Sequence, residues 1–144
     1  EIEIFYTRLG RVGRKIQVRN LKKRRTGTFG EDLAQKYLQE RGYLIVQRSF
    51  RTRFGEIDII AISPDKKYLC FVEVKTRRQS LFGNPVEAVD ERKVRKIISV
   101  AEEFLSSHHK IQDIEVKSLS VRFDVISVEI VSNDVKIQHI ENAF

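Results

Sequence analysis

A chain of 144 residues with 41% hydrophobic side chains closes one core of ordinary size and leaves no room for a second domain. Its net charge of +7 is concentrated: residues 1–30 carry nine cations against Glu1 and Glu3, while the rest of the chain holds eighteen charges of each sign. A single cysteine excludes an internal disulfide, and no run approaches the ~20 apolar residues that a membrane span requires.

Residues 1–27 read as a basic, partly disordered extension. A short alternating start, Glu1-Ile2-Glu3-Ile4-Phe5, gives way to scattered Leu and Val among cations, densest at Lys22, Lys23, Arg24 and Arg25. The segment is rich in Arg but contains no serine, which argues against a transit peptide, and it lacks the apolar core of a secretory signal. The expectation is a soluble, cytoplasmic protein.

The domain proper is expected over 28–144. Thr28 with Glu31 three residues later has the capping-box pattern; Leu33, Ala34, Tyr37 and Leu38 then share a helical face, and Gly42 supplies the stop. Strand-like runs follow at 43–50, 55–62 and 67–75, with gaps short enough for antiparallel hairpins and the turn Ser63-Pro64-Asp65 between the last two. Cys70 sits in the third run as a small buried side chain. A polar loop over 76–84 leads into a second helix, opened either by Asn84 with Pro85 or by Asp90, whose predicted buried stripe is Val94, Ile97, Ile98, Ala101, Phe104 and Leu105. After a soft region at 108–118 come strands at 119–131 and 135–140. The order α-β-β-β-α-β-β predicts an α/β fold, a mixed sheet with helices packed on it.

Strand alternation puts Glu56 and Asp58 on one face of the second strand with Ile57 and Ile59 opposite, and pairs Glu73 with Lys75 against Val72 and Val74. Charges near the ends of apolar strands cost several kcal/mol unless they find partners or a metal. Phosphodiester hydrolysis explains them: gathered carboxylates hold Mg²⁺ through hard oxygen ligands, and a neighbouring lysine helps activate water or stabilises charge on the phosphate. His108, His109 and His139 have no ligand spacing with one another or with Cys70, so the pattern supports no zinc site.

Gly30-Glu31, Gly55-Glu56-Ile57-Asp58, Phe71-Val72-Glu73-Val74-Lys75, Lys93, Arg122-Phe123-Asp124-Val125 and Asn142-Ala143-Phe144 together resemble the YraN-like family of bacterial proteins over residues 28–144. That family lies within the PD-(D/E)xK superfamily of restriction-endonuclease-like nucleases, related to archaeal Holliday-junction resolvases. The resemblance implies a Mg²⁺ or Mn²⁺ site from Asp58, Glu73 and the Val74 carbonyl, Lys75 as catalytic lysine, and Glu31 as a helix-borne acid facing the same site. It implies nucleic acid, DNA first, as partner, an endonuclease acting on branched or damaged DNA, and, by analogy with resolvases, a homodimer. Ile57 stands where the superfamily motif has proline.

Each residue also has a plainer reading. Glu73 and Lys75 fit a solvated pair, Glu31 a capping-box acid, and Asp124 a structural acid paired with Arg122. Lys93 fits a phosphate contact at the helix start or, with Arg92, Arg95 and Lys96, a solvated basic face. Arg77, expected in the loop after the Glu-x-Lys strand, and Lys22, Lys23, Arg24 and Arg25 are candidates for phosphate contact. The rivals to a nuclease are a nucleic-acid-binding module of the same fold that does not cut, and an interaction protein whose basic arm meets an acidic partner.

Overall fold

A computed structural model describes residues 2–6, 26–78, 90–131 and 134–144. Strand β1 (Ile2–Tyr6) is followed by helix α1 (Thr26–Glu40), strands β2 (Leu44–Thr52), β3 (Gly55–Ile62) and β4 (Tyr68–Arg78), helix α2 (Glu91–Ser107), the short strands β5 (Lys110–Ile111) and β6 (Ile114–Glu115), and strands β7 (Ser120–Val131) and β8 (Asp134–Ile140). The main sheet runs β1-β8-β7-β4-β3-β2 and is antiparallel except for the parallel pair β4 and β7, to which α2 is the crossover. The expected mixed sheet and element order are present. The soft region at 108–118 is a small β5–β6 hairpin followed by a 3-10 turn.

Helix α1 begins at Thr26, so Thr28 lies inside it and the capping box expected from Thr28 and Glu31 does not form. Glu31 instead accepts from Arg48 of β2. The stop is as expected: Gly42 has φ +90° and donates to Gln39, while the Tyr43 N–H returns to Leu38. A Cβ at Gly30 would stand 1.8 Å from Thr76 Oγ1, so glycine there lets the helix press against β4.

The apolar surfaces divide between the helices. Leu33, Ala34, Tyr37 and Leu38 of α1 pack on Ile59, Ala61, Cys70, Val72, Ile126 and Ile137, while Ile97, Val100, Ala101 and Phe104 of α2 pack on Ile57, Ile60, Ile62, Leu69 and Phe71. On α2, Val100 joins the buried stripe and Ile98 leaves it for solvent, a one-position rotation of the expected face. Asp90, one of the two expected starts, is the N-cap, its carboxylate accepting from the Lys93 N–H at 2.8 Å. Asn84 and Pro85 lie outside the described residues.

Simple alternation fails in β3: Ile57 packs toward α2 and Ile59 toward α1. The cause lies across the ladder. Ser49 of β2 faces Asp58, between the pairs Arg48↔Ile59 and Phe50↔Ile57, and has φ +52°. That left-handed residue turns Arg48 toward α1 and Phe50 toward α2, and the paired strand turns with it.

Candidate metal and phosphate site

The β3–β4 ladder runs from Ile62↔Leu69 to Ile59↔Val72 and stops, while β4 continues beside β7 as far as Arg78↔Ile130. The two strands therefore fork at Asp58 and Glu73. Asp58 bridges the fork, one oxygen accepting from the Val74 N–H at 2.8 Å. Burial, reinforced by the nearby Glu73 carboxylate, pushes its pKa up to about 8.

Glu73 is 7% exposed and shared by two lysines: Lys93 Nζ lies 2.5 Å and Lys75 Nζ 3.4 Å from Oε1. Burial and the neighbouring Lys93 hold the Lys75 ammonium below its usual pKa range. Burial also works against the Lys93 charge, but Glu73 outweighs it and its pKa is raised. Glu31 stands 3.2 Å from Arg48 Nη2, and the same guanidinium bonds Asp32 and Gln35.

A cleft of about 550 Å³ collects these groups. Glu31, Glu56, Asp58 and Glu73 line one side, and Asp90, Arg92, Lys93 and Lys96 at the start of α2 line the other. Lys75 reaches the site through its pair with Glu73 and is not itself among the lining residues. Arg77 is not a loop residue: β4 extends to Arg78, which keeps Arg77 in the strand, half-buried and in register with Glu129. Lys22, Lys23, Arg24 and Arg25 lie outside the described residues.

Among the described residues, no three His, Cys, Asp or Glu side chains converge as a closed metal cage. Two carboxylates beside a backbone strand are nevertheless the donor set of a hard cation that keeps most of its water, which fits Mg²⁺ or Mn²⁺ and not zinc. Asp58, which forms no ion pair among the described residues, is the group such a cation would relieve.

A second charged cluster lies under the C-terminal end of α1, where sequence reasoning saw only the Arg122–Asp124 pair. Asp124 accepts from Arg122 Nε and Nη2 at 3.0 Å each, from the Asn142 N–H at 3.0 Å, and pairs with His139 Nε2 at 2.8 Å; His139 Nδ1 meets the Tyr37 hydroxyl at 3.1 Å. Hydrogen bonds from His139 and Arg122 overcome the effect of burial and hold the Asp124 carboxyl below its usual range. This is the structural acid expected of Asp124. His139 carried a legible signal, since it continues the alternation Val135, Ile137 on a buried face, and an imidazole there must have partners.

A mixed α/β sheet bearing a strand acid, Glu-x-Lys one hairpin later and a helix acid at one cleft is of the PD-(D/E)xK, restriction-endonuclease-like class. A family model described as "Uncharacterised protein family UPF0102" matches residues 30–128, and the chain belongs to this family, the YraN-like group. It is similar to UPF0102 proteins of Alkaliphilus oremlandii, 45% identical over 84% of this chain and 98% of that protein, and of Persephonella marina, 46% identical over 82% and 91%. A relative from Caldanaerobacter subterraneus is 38% identical over 88% of this chain and the whole of its own length. Among the described residues no helix is long and apolar enough to cross a membrane.

Proposed function

We propose that the chain is a Mg²⁺- or Mn²⁺-dependent endonuclease, cytoplasmic, that hydrolyses phosphodiester bonds in DNA, with branched or damaged DNA as the substrate class and a homodimer as the working form. The observation that carries this reading is the fork, which sets Asp58 and Glu73 beside one another at a cleft whose opposite wall is cationic. The Glu73 carboxylate helps raise the pKa of Asp58, a cost that a fold without need of the pair would shed. Asp58, Glu73 and the Val74 carbonyl would hold the cation, which supplies Lewis-acid polarisation of a phosphoryl oxygen. Lys75 stabilises negative charge developing on the phosphate, Lys93, Arg92 and Lys96 draw the backbone in, and Arg48 keeps Glu31 oriented at the cleft.

One observation favours the alternative of a non-catalytic nucleic-acid-binding module: Glu73 is already neutralised by two lysines and Glu31 by Arg48. A cleavage panel separates the two. Linear, nicked, flapped and four-way DNA are offered with Mg²⁺, Mn²⁺ or EDTA to the parent chain and to Asp58→Ala and Glu73→Ala. Metal-dependent cutting lost in both variants supports the nuclease, and silence of the parent across the panel, with DNA still bound, replaces it by the module.

A further inference from the structure

We propose that the β2–β3 turn, Arg53 and Phe54, is a preformed stacking platform for a nucleobase outside its duplex, so that the cleft selects nucleic acid with an unpaired base beside the phosphodiester; the proposal rests on the nucleic-acid reading above. Phe54 is 40% exposed, and of the exposed large apolar side chains among the described residues it is the aromatic one. Its ring carries the Arg53 guanidinium at 4.8 Å from the centroid. Aromatic faces and Arg planes are the groups on which unstacked bases settle, whereas a base within a duplex offers neither face.

The turn is held ready. Thr52 Oγ1 accepts from the Phe54 N–H at 3.0 Å, and Arg51 clasps Glu56 across the two strands through Nε at 3.0 Å and Nη2 at 2.7 Å. Gly55, at φ +149°, allows the chain to turn back into β3 directly after the ring. Arg53 Nε stands 3.9 Å from Glu103 of α2, an exposed and weak pair that leaves the guanidinium free to stay over the ring. An aromatic ring fixed before binding loses little entropy when a base stacks on it.

Position makes the platform useful. Gly55 and Glu56, the residues that follow Phe54, line the same cleft as Asp58 and Glu73, opposite Arg92, Lys93 and Lys96. Phe54 does not itself line the cleft but stands in the turn directly before Gly55, so a strand whose phosphates meet the cations has an exposed ring beside the cleft's edge for a displaced base. A paired duplex satisfies only the cations.

The test is fluorescence titration in EDTA, so that cleavage plays no part, of DNA carrying 2-aminopurine in a single strand, in a flap or in a fully paired duplex. Phe54→Ala is expected to weaken single-strand and flap binding about tenfold while duplex binding stays within about twofold, and the quenching of aminopurine seen with the parent should vanish. Phe54→Trp should restore both. Equal affinities of parent and Phe54→Ala for the flap, or an equal loss on flap and duplex, would overturn the platform and leave the nucleic-acid reading intact. A parent chain that binds none of the three would overturn both.

Discussion

Lys93 of α2 sets its ammonium on the Glu73 carboxylate of β4, at the same Oε1 that Lys75 faces. The lysine is an internal counter-ion, and a cation must compete with it. Lys93→Met is therefore expected to tighten Mn²⁺ binding by up to about fivefold, the scale of a partly exposed ion pair, as read by calorimetry without nucleic acid. Weaker binding in the variant would instead make Lys93 the residue that holds Glu73 in position.

Half-buried Asp58 and fully buried Asp124 impose opposite pH slopes. The folded pKa of Asp58, about 8, lies above its ordinary 3.8, so the folded chain retains a proton that the unfolded chain releases, and in EDTA this contribution to stability falls as pH rises between those values. Asp58→Asn should flatten the decline and melt several degrees higher at pH 8. The slope attributable to this one proton cannot exceed about 1.4 kcal/mol per pH unit. Thermal melts from pH 4 to 9 that coincide for parent and variant would refute the assignment.

Asp124 acts in the other sense, because its carboxyl is held below the ordinary range and its stabilisation is lost as pH falls through the folded pKa. Asp124→Ala leaves Arg122 and His139 buried without their acid and should cost about 3–5 kcal/mol in urea unfolding at neutral pH. A cost below about 1 kcal/mol would show the network to be dispensable.

Lys75→Ala separates binding from chemistry. An ammonium cannot ligate a metal, so Mn²⁺ binding should be kept, at the parent's affinity or somewhat tighter for loss of a second counter-ion at Glu73, while cleavage falls by ~10²-fold or more. Parent-like rates would return Lys75 to the role of a plain partner for Glu73.

The sequence was most readable where one face of an element is apolar. Leu33, Ala34, Tyr37 and Leu38 announced α1, and the Glu-x-Lys strand with its preceding acid marked the two strands that fork at Asp58 and Glu73, because period and spacing are local properties. Ser49 was not legible, since serine is not a usual residue for φ +52°, and with it went the reversal of Ile57 and Ile59. Arg48 was hidden for a different reason. Its partners Glu31, Asp32 and Gln35 lie a helix away in sequence, and long-range polar contacts leave no periodic trace.

The basic extension contributes charge that the domain lacks. Replacing Lys22, Lys23, Arg24 and Arg25 by Gln should reduce the slope of log K against log salt for duplex DNA by up to about 4, with cleavage at saturating DNA unchanged. An unaltered slope would exclude these four from phosphate contact.

The Tyr37–His139 bond joins residues 102 positions apart, and Asp124 is held by Asn142 almost at the last residue described. A chain emerging from the ribosome therefore presents Asp58 and Glu73 long before it can lock α1 onto the sheet, because His139 and Asn142 are made well after them. Assembly of the candidate cleft thus waits on β8, so chains cut short before that strand should yield no stable domain.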